Sequence, residues 1–384
     1  MEIPNSADVV VVGGGVMGTS TAYHLAARGY NNVLLLEKEE FFGQGATGRC
    51  AGGVRYQFAT EINVRLSMES LPMFECFEEE TGQAIDYRQC GYIFLLNQPE
   101  DIRVFQHNVE LQNQLGVATE WLSGDEIRRR LPMMNLNDVL AGTCNAKDGL
   151  VDPNSVVMGY ISAAQRMGVH PYTQVEVTGI QVKGGKVTAV DTNMGAVATP
   201  VVVNAAGPWA GLIGDMAGVD IPITPIRRQM LTTAPLPTLP VDFPFVIDFA
   251  QSLYFHREGQ GLLTGMSNPN EKPGYDQSID VEWELVHLEA ATARLPLLEN
   301  AGLASHWAGL YEVTPDAHPI FGKTPVEGFL VCAGFSGHGF MHGPITGKIM
   351  TEIILDGRAQ TLDISMLDLD RFKEGRLIRE YNVV

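Results

Sequence analysis

The chain has 384 residues, 45% of them hydrophobic, with 26 basic against 45 acidic side chains and a formal net charge of -19 at pH 7. That length exceeds one ordinary core and predicts two domains, while the acidic balance argues against a nucleic-acid or anionic-membrane partner, so an anionic ligand must meet a locally basic site. Cys50, Cys76, Cys90, Cys144 and Cys332 are dispersed without paired spacing, no run reaches the ~18 apolar residues of a membrane span, and the first residues lack the regions of a signal peptide; reduced thiols in a cytoplasm are expected, with neither a disulfide framework nor a metal site.

The chain opens on a strand signal, Val9 to Val12, whose four consecutive β-branched residues suit a strand buried on both faces. Gly13, Gly15 and Gly18 follow at the G-x-G-x-x-G spacing, with Val16 and Met17 between them. In that pattern the first glycine allows a tight turn, the second lets backbone approach a pyrophosphate, and the third lets the next helix lie close to the strand. Ala22, Leu25 and Ala26 then form an apolar stripe at helical spacing, and Gly29 is a stop signal. A second apolar strand, Val33 to Leu36, ends in Glu37, where a βαβ unit places the carboxylate that bonds ribose hydroxyls; Lys38 is its neighbour. Strand, glycines, helix, strand and terminal acid together predict a dinucleotide site.

Residues 43–56 read as an irregular loop rich in glycine, in which Thr47 could reach a phosphate and Arg55 could bind an anion inside a cavity. A helix is expected over 61–80, with Ile62, Leu66, Met68, Leu71 and Phe74 on its core face and a kink or break at Pro72. A strand follows over 91–96, then a helix over 100–115 carrying Val104, Val109 and Leu111, and a capped helix start at Ser123. This middle region departs from the opening unit and reads as an inserted second domain. Asp152 and Pro153 open a further helix over 156–168; a strand is expected over 173–180, and residues 183–186 form a hairpin turn. The strand Val201 to Asn204 ends in Ala205, Ala206 and Gly207, where backbone can pass beneath a bound nucleotide, followed by Trp209. Residues 221–309 are strand-like and proline-rich, with strands around Tyr254 to His256 and 261–265; His256 by itself reads more readily as a structural histidine than as a catalyst. A last strand, 329–333, runs into a glycine-rich turn and a helix over 345–355, leaving amides near Gly337, His338, Gly339, Phe340 and Met341 free to stabilise negative charge.

These residues make the chain similar to the FAD-dependent amine oxidoreductases of the D-amino-acid-oxidase superfamily, and above all to the β subunit of heterotetrameric sarcosine oxidase and the flavin-bearing subunit of dye-linked L-proline dehydrogenase. The resemblance covers nearly the whole length. It is carried by residues 13–18, Thr47-Gly48-Arg49, 148–153, 203–209, Thr314-Pro315-Asp316 and 334–340. It implies an α/β protein: a Rossmann-like FAD-binding domain from 1–80, 145–220 and 315–384, and an inserted α+β substrate domain with a mixed sheet from 81–144 and 221–314. It also implies FAD with its adenosine near Glu37 and Val175, and the flavin ring between Arg49, Ala51 and Gly52 on one side and residues 337–341 at its pyrimidine end. Arg55 matches the arginine that holds the substrate carboxylate, and Tyr311 the tyrosine beside the substrate; Tyr254 would help shape the pocket.

The departures from the family pattern carry information too. Gly309 stands where monomeric sarcosine oxidases tether FAD through cysteine, and Pro153 where the β subunit tethers FMN through histidine, so FAD is expected to be non-covalent. Leu263 replaces the lysine that speeds reaction with oxygen, Ser267 an active-site histidine, and Met341 a lysine of the carboxylate clamp. A dehydrogenase is therefore expected in preference to a fast oxidase, with His256 or His342 as candidates to complete the clamp. The expected activity is oxidation of a small secondary-amine amino acid such as sarcosine, proline or an N-methyl amino acid. Three alternatives stand beside it: oxidation of a primary amino acid, a flavoprotein subunit that needs a partner subunit or other electron acceptor, and an NAD-dependent dehydrogenase.

Overall fold

A computed structural model describes residues 3–383 of the chain. Its first sheet has six strands in the order Ile320–Lys323, Phe329–Ala333, Val202–Asn204, Val9–Val12, Val33–Leu36 and His170–Tyr172. All neighbours are parallel except the outermost pair, 320–323 with 329–333. Each of the four valines of 9–12 is buried, because helices cover one face and a smaller layer covers the other. The helices Val16–Ala27, Pro153–Arg166 and Gly339–Asp356 pack on the first face. A three-stranded antiparallel sheet, Val177–Lys183, Lys186–Thr192 and Gly195–Ala198, packs with the helix Ala210–Met216 on the other. The chain leaves the centre of this sheet in both directions, so a topological switch point falls between 9–12 and 202–204, where open α/β sheets bind ligands.

A second sheet of eight strands runs Leu303–Val313, Thr224–Thr233, Gly261–Met266, Leu253–Glu258, Phe245–Asp248, Tyr92–Leu96, Ala141–Asn145 and Glu120–Ser123. It is mixed: 245–248 pairs in parallel with 92–96, and its other neighbours are antiparallel. The mixed α/β architecture is the one the sequence implied.

Several expected elements shift. Pro72 lies inside the helix Glu61–Glu75, which ends three residues later and is followed by the separate helix Phe77–Thr81. The helix Pro99–Gln114 buries Phe105, Asn108, Val109 and Gln112, while Val104 and Leu111 are only partly covered. Polar Gln112 is drawn inside because its side-chain amide donates to the Phe58 carbonyl at 2.7 Å. Of the strand expected over 173–180 only the part from 177 forms, within Val177–Lys183, since Gln174 takes φ of 59° and turns the chain between it and the preceding strand His170–Tyr172. The last helix begins at Gly339, not 345, and Pro344 sits within it, so the glycine turn ends directly in a helix N-terminus. Ser123 caps the helix start expected there, and Glu126 closes a capping box with it.

Candidate cofactor and substrate cleft

The crib of the first site is built by close backbone approach. Gly13 has φ of 111°, and a side chain there would collide with the Ala205 carbonyl oxygen, so the ends of strands 9–12 and 202–204 meet over this residue. A Cβ on Gly18 would strike the Gly13 carbonyl oxygen. Gly18 therefore seats the helix Val16–Ala27 against the strand and does not itself line the cleft. Thr47, expected at a phosphate, accepts the Val16 N–H through Oγ1 at 3.1 Å and so steadies the first turn of that helix. Its neighbour Gly48 packs against the Gly43 carbonyl and lies outside the cleft wall, which corrects the expectation for that residue. Glu37 accepts N–H groups from Gly14 at 2.7 Å and Glu39 at 2.9 Å; burial pushes its carboxyl up, and those two hydrogen bonds oppose the shift.

From this crib a cleft of about 1990 Å³, open mouth included, runs between the two large sheets. Gly13, Gly15, Val16, Met17, Glu37, Lys38 and Val175 line one end, with Ala205, Gly207 and Trp209 beside them. Arg49, Ala51, Gly52, Gly309 and the turn Gly337, His338, Gly339, Phe340 and Met341 line the middle. The two glycine-rich turns are thus brought to one cavity from opposite ends of the chain. Both are tied to strand 303–313: Arg49 donates Nη1 to the Ala308 carbonyl at 2.7 Å, and Ser336 donates its N–H to the Glu312 carbonyl at 3.1 Å.

Arg55, Tyr254 and Tyr311 line the far end. Arg55 is buried, and its guanidinium carbon lies 4.1 Å from the centre of the Phe58 ring. It donates to the carbonyl oxygens of Gln57 and Asn382, the second at 2.6 Å, and among the described residues no carboxylate lies within ion-pair distance. Two carbonyls orient the group, and with Glu380 and Asp148 felt only at a distance its N–H groups suit an anionic ligand.

The two histidines proposed to complete a clamp do not reach it. His342 is fully buried outside the cleft wall, with Nε2 3.0 Å from Ser67 Oγ; burial, then the charge of Arg55, lowers it to about 3. His256 is buried just behind the cleft wall, stacked on Phe245 and bonded through Nδ1 to the Arg257 carbonyl at 3.0 Å, and burial lowers it to about 4. Both are neutral at ordinary pH and cannot supply a cation.

Sequence reading missed Arg228 and Glu312, which also line the cleft, together with the walls Tyr92, Met230 and Phe245. The alternation of a strand was the available signal: Arg227 and Arg228 are adjacent on 224–233 and must face opposite ways. Glu312 lies one residue past Tyr311 and accepts the Phe335 N–H at 3.3 Å through Oε1. Its buried Oε2, His338 Nε2 and Arg228 Nε have no hydrogen-bond partner among the described residues. A glycine crib at a helix N-terminus, an acid at the end of the second strand and unpartnered polar atoms along the cleft fit a flavin dinucleotide.

The family model described as "FAD dependent oxidoreductase" matches residues 8–353. The chain belongs to that family. FAD is the cofactor this family's cleft holds, and crib, acid and glycine turns are the parts of this chain that would hold it. Among curated relatives, the chain is 32% identical to mitochondrial dimethylglycine dehydrogenase of Rattus norvegicus over 392 residues, covering 97% of this chain and 45% of the relative. It is 31% identical to mitochondrial sarcosine dehydrogenase of Homo sapiens over 388 residues, covering 96% and 42%. The chain thus spans less than half the length of these relatives. Among solved structures, L-proline dehydrogenase from P. horikoshii superposes with a TM-score of 0.91 at 34% identity, covering 98% of this chain and 100% of the other. Among the described residues no helix is long and apolar enough to cross a membrane, and all five cysteines are free.

Proposed function

We propose that this flavoprotein oxidises a small amino acid whose nitrogen is secondary or tertiary, removing a hydride from a carbon beside that nitrogen to leave an imine from a secondary amine, which loses its N–H proton, or an iminium ion from a tertiary one. The observation that carries the reading is Arg55: a buried guanidinium in the cleft wall, oriented by two carbonyls, with no carboxylate within ion-pair distance among the described residues, beside Tyr254 and Tyr311. The names of the relatives, dimethylglycine, sarcosine and L-proline dehydrogenases, support the same substrate class. When bound, FAD accepts the hydride that leaves the substrate carbon.

The residues of the chain supply position and charge. Arg55 holds the carboxylate, and the tyrosines with Met230 and Phe245 close an apolar wall that excludes water and favours the uncharged amine. His338, held neutral by burial, presents an Nε2 with no hydrogen-bond partner among the described residues beside the amides of the helix N-terminus at Gly339, a polar patch suited to negative charge on the reduced cofactor. Leu263 in place of an oxygen-activating lysine supports a dehydrogenase, and Gly309 and Pro153 in place of tethering residues support non-covalent FAD. We further assign the FAD-binding domain to 1–80, 145–220 and 315–384 and the substrate domain to the rest.

The test is anaerobic mixing of the holoenzyme with sarcosine, N,N-dimethylglycine, proline, glycine and a D-amino acid, following the flavin absorbance. Secondary and tertiary amines are expected to bleach it faster than primary ones, and Arg55→Met is expected to raise the half-saturating concentration about ten- to a hundredfold, the scale of a lost charged hydrogen bond. Failure of every amine to bleach the flavin, or an unchanged substrate dependence in Arg55→Met, would overturn the proposal.

A further inference from the structure

The strand Thr224–Thr233 carries two consecutive arginines with opposite fates. Arg227 points to the outer face and is neutralised, reaching Glu271 at 3.2 Å, Asp276 at 3.0 Å and Asp280 at 3.7 Å. Arg228 points into the cleft, shares no ion pair within 4.0 Å among the described residues, and keeps a buried Nε with no hydrogen-bond partner. Its one protein hydrogen bond among the described residues runs from Nη1 to the Arg227 carbonyl at 3.0 Å. Its guanidinium carbon lies 5.1 Å from the centre of the Tyr311 ring.

Sheet register explains the placement. Arg228 stands opposite Gly309, and Met230 opposite Gly265, which in turn stands opposite Tyr254. Directly opposed residues share a face, so Arg228, Met230, Tyr254, Gly309 and Tyr311 form one wall of the cleft. Tyr311 lies close enough to both Arg55 and Arg228 to feel their charges. In a chain of net charge -19 the cleft therefore holds two buried or half-buried guanidinium groups that, among the described residues, have no carboxylate within 4.0 Å. An unpaired cation out of water is costly and is retained where a ligand supplies the missing charge.

Resting on the reading of the cleft as an amine-oxidising site, we infer that Arg228 is a second anion-binding residue and that the preferred substrate carries two carboxylates. Arg55 takes the carboxylate next to the reacting carbon. Arg228 takes the other, carried either on the nitrogen substituent or on the side chain. The two sources share one chemistry and differ in where the second group is attached.

Two measurements on the holoenzyme test this. The first is binding without turnover: titration of the flavin spectrum with thiodiacetate and with methylthioacetate, thioethers of two and one carboxylates. Thiodiacetate is expected to bind at least tenfold tighter, with that advantage lost in Arg228→Gln and partly restored in Arg228→Lys. The second is anaerobic reduction by iminodiacetate, N-methylaspartate and sarcosine. One of the two dicarboxylates is expected to be favoured over sarcosine at least tenfold, and which one tells where the second carboxylate is attached; Arg228→Gln should remove the preference. Equal binding of the two thioethers would overturn the inference, as would an Arg228→Gln that weakens both ligands alike or releases FAD, which would place the guanidinium on the cofactor. Failure of every amine to reduce the flavin, with the thioether preference intact, would instead count against the amine-oxidising reading alone.

Discussion

Glu312 offers a test of the cleft's electrostatics that needs no substrate. Burial raises its carboxyl from 4.5 to about 7, and N–H groups of Gly334 and Phe335 only partly offset the desolvation. A carboxyl with a raised folded-state pKa favours the folded protein fully below its unfolded value, and that advantage disappears as pH climbs through 7. At 1.36 kcal/mol per pKa unit, the charged form costs the fold about 3 kcal/mol by pH 8.5, and most of that difference develops above pH 5. Glu312→Gln keeps the shape and removes the proton equilibrium. The measurement is urea unfolding of FAD-free wild type and variant at pH 5 and pH 8.5. The variant should gain about 2–3 kcal/mol on the wild type between the two, whatever constant offset the amide introduces. Asp148, also lifted to about 7 by burial, titrates in both proteins and cancels in the comparison. A stability difference that stays the same at both pH values would refute the assignment of a protonated Glu312 to the cleft.

Two further substitutions probe the frame. Gly18→Val would drive its side chain into the Gly13 carbonyl and push the first helix off the strand, so purified protein should retain little FAD by absorbance while the far-ultraviolet circular dichroism stays helical. Arg371, fully buried, pairs with Asp316 at 2.8 and 3.0 Å and also donates to the Leu367 and His318 carbonyls. Arg371→Met leaves a buried carboxylate unpaired and should lower stability by about 3–5 kcal/mol in a denaturant titration, with Asp316→Asn in the same background recovering part of it.

Elements with strong local signals were legible from the residues themselves. The valine strand, the three glycines, the helix cap at Ser123 and the hairpin at Gly184 form where spacing and turn chemistry indicate, because in each the residue types and their spacing already favour the local conformation that the fold uses. Signals that needed long-range partners were misread. Pro72 and Pro344 sit inside helices because the surrounding packing holds those helices on either side of the missing N–H. His256 and His342 carry a chemistry that sequence alone invites, yet burial in aromatic surroundings leaves them neutral.

By itself the sequence determined the cofactor class, since a strand–glycine–helix–strand–acid unit is a local arrangement whose every part has a stereochemical reason. It also supplied Arg55 and Tyr311 as candidates. Only the tertiary structure decided which charges share the cleft. Arg227 and Arg228 are neighbours in the chain, but sheet alternation gives one to three carboxylates and turns the other toward Tyr311. Charge compensation depends on which side chains meet in space, and residues 49–55, 228, 311 and 337–341 meet only after two sheets from distant parts of the chain have packed.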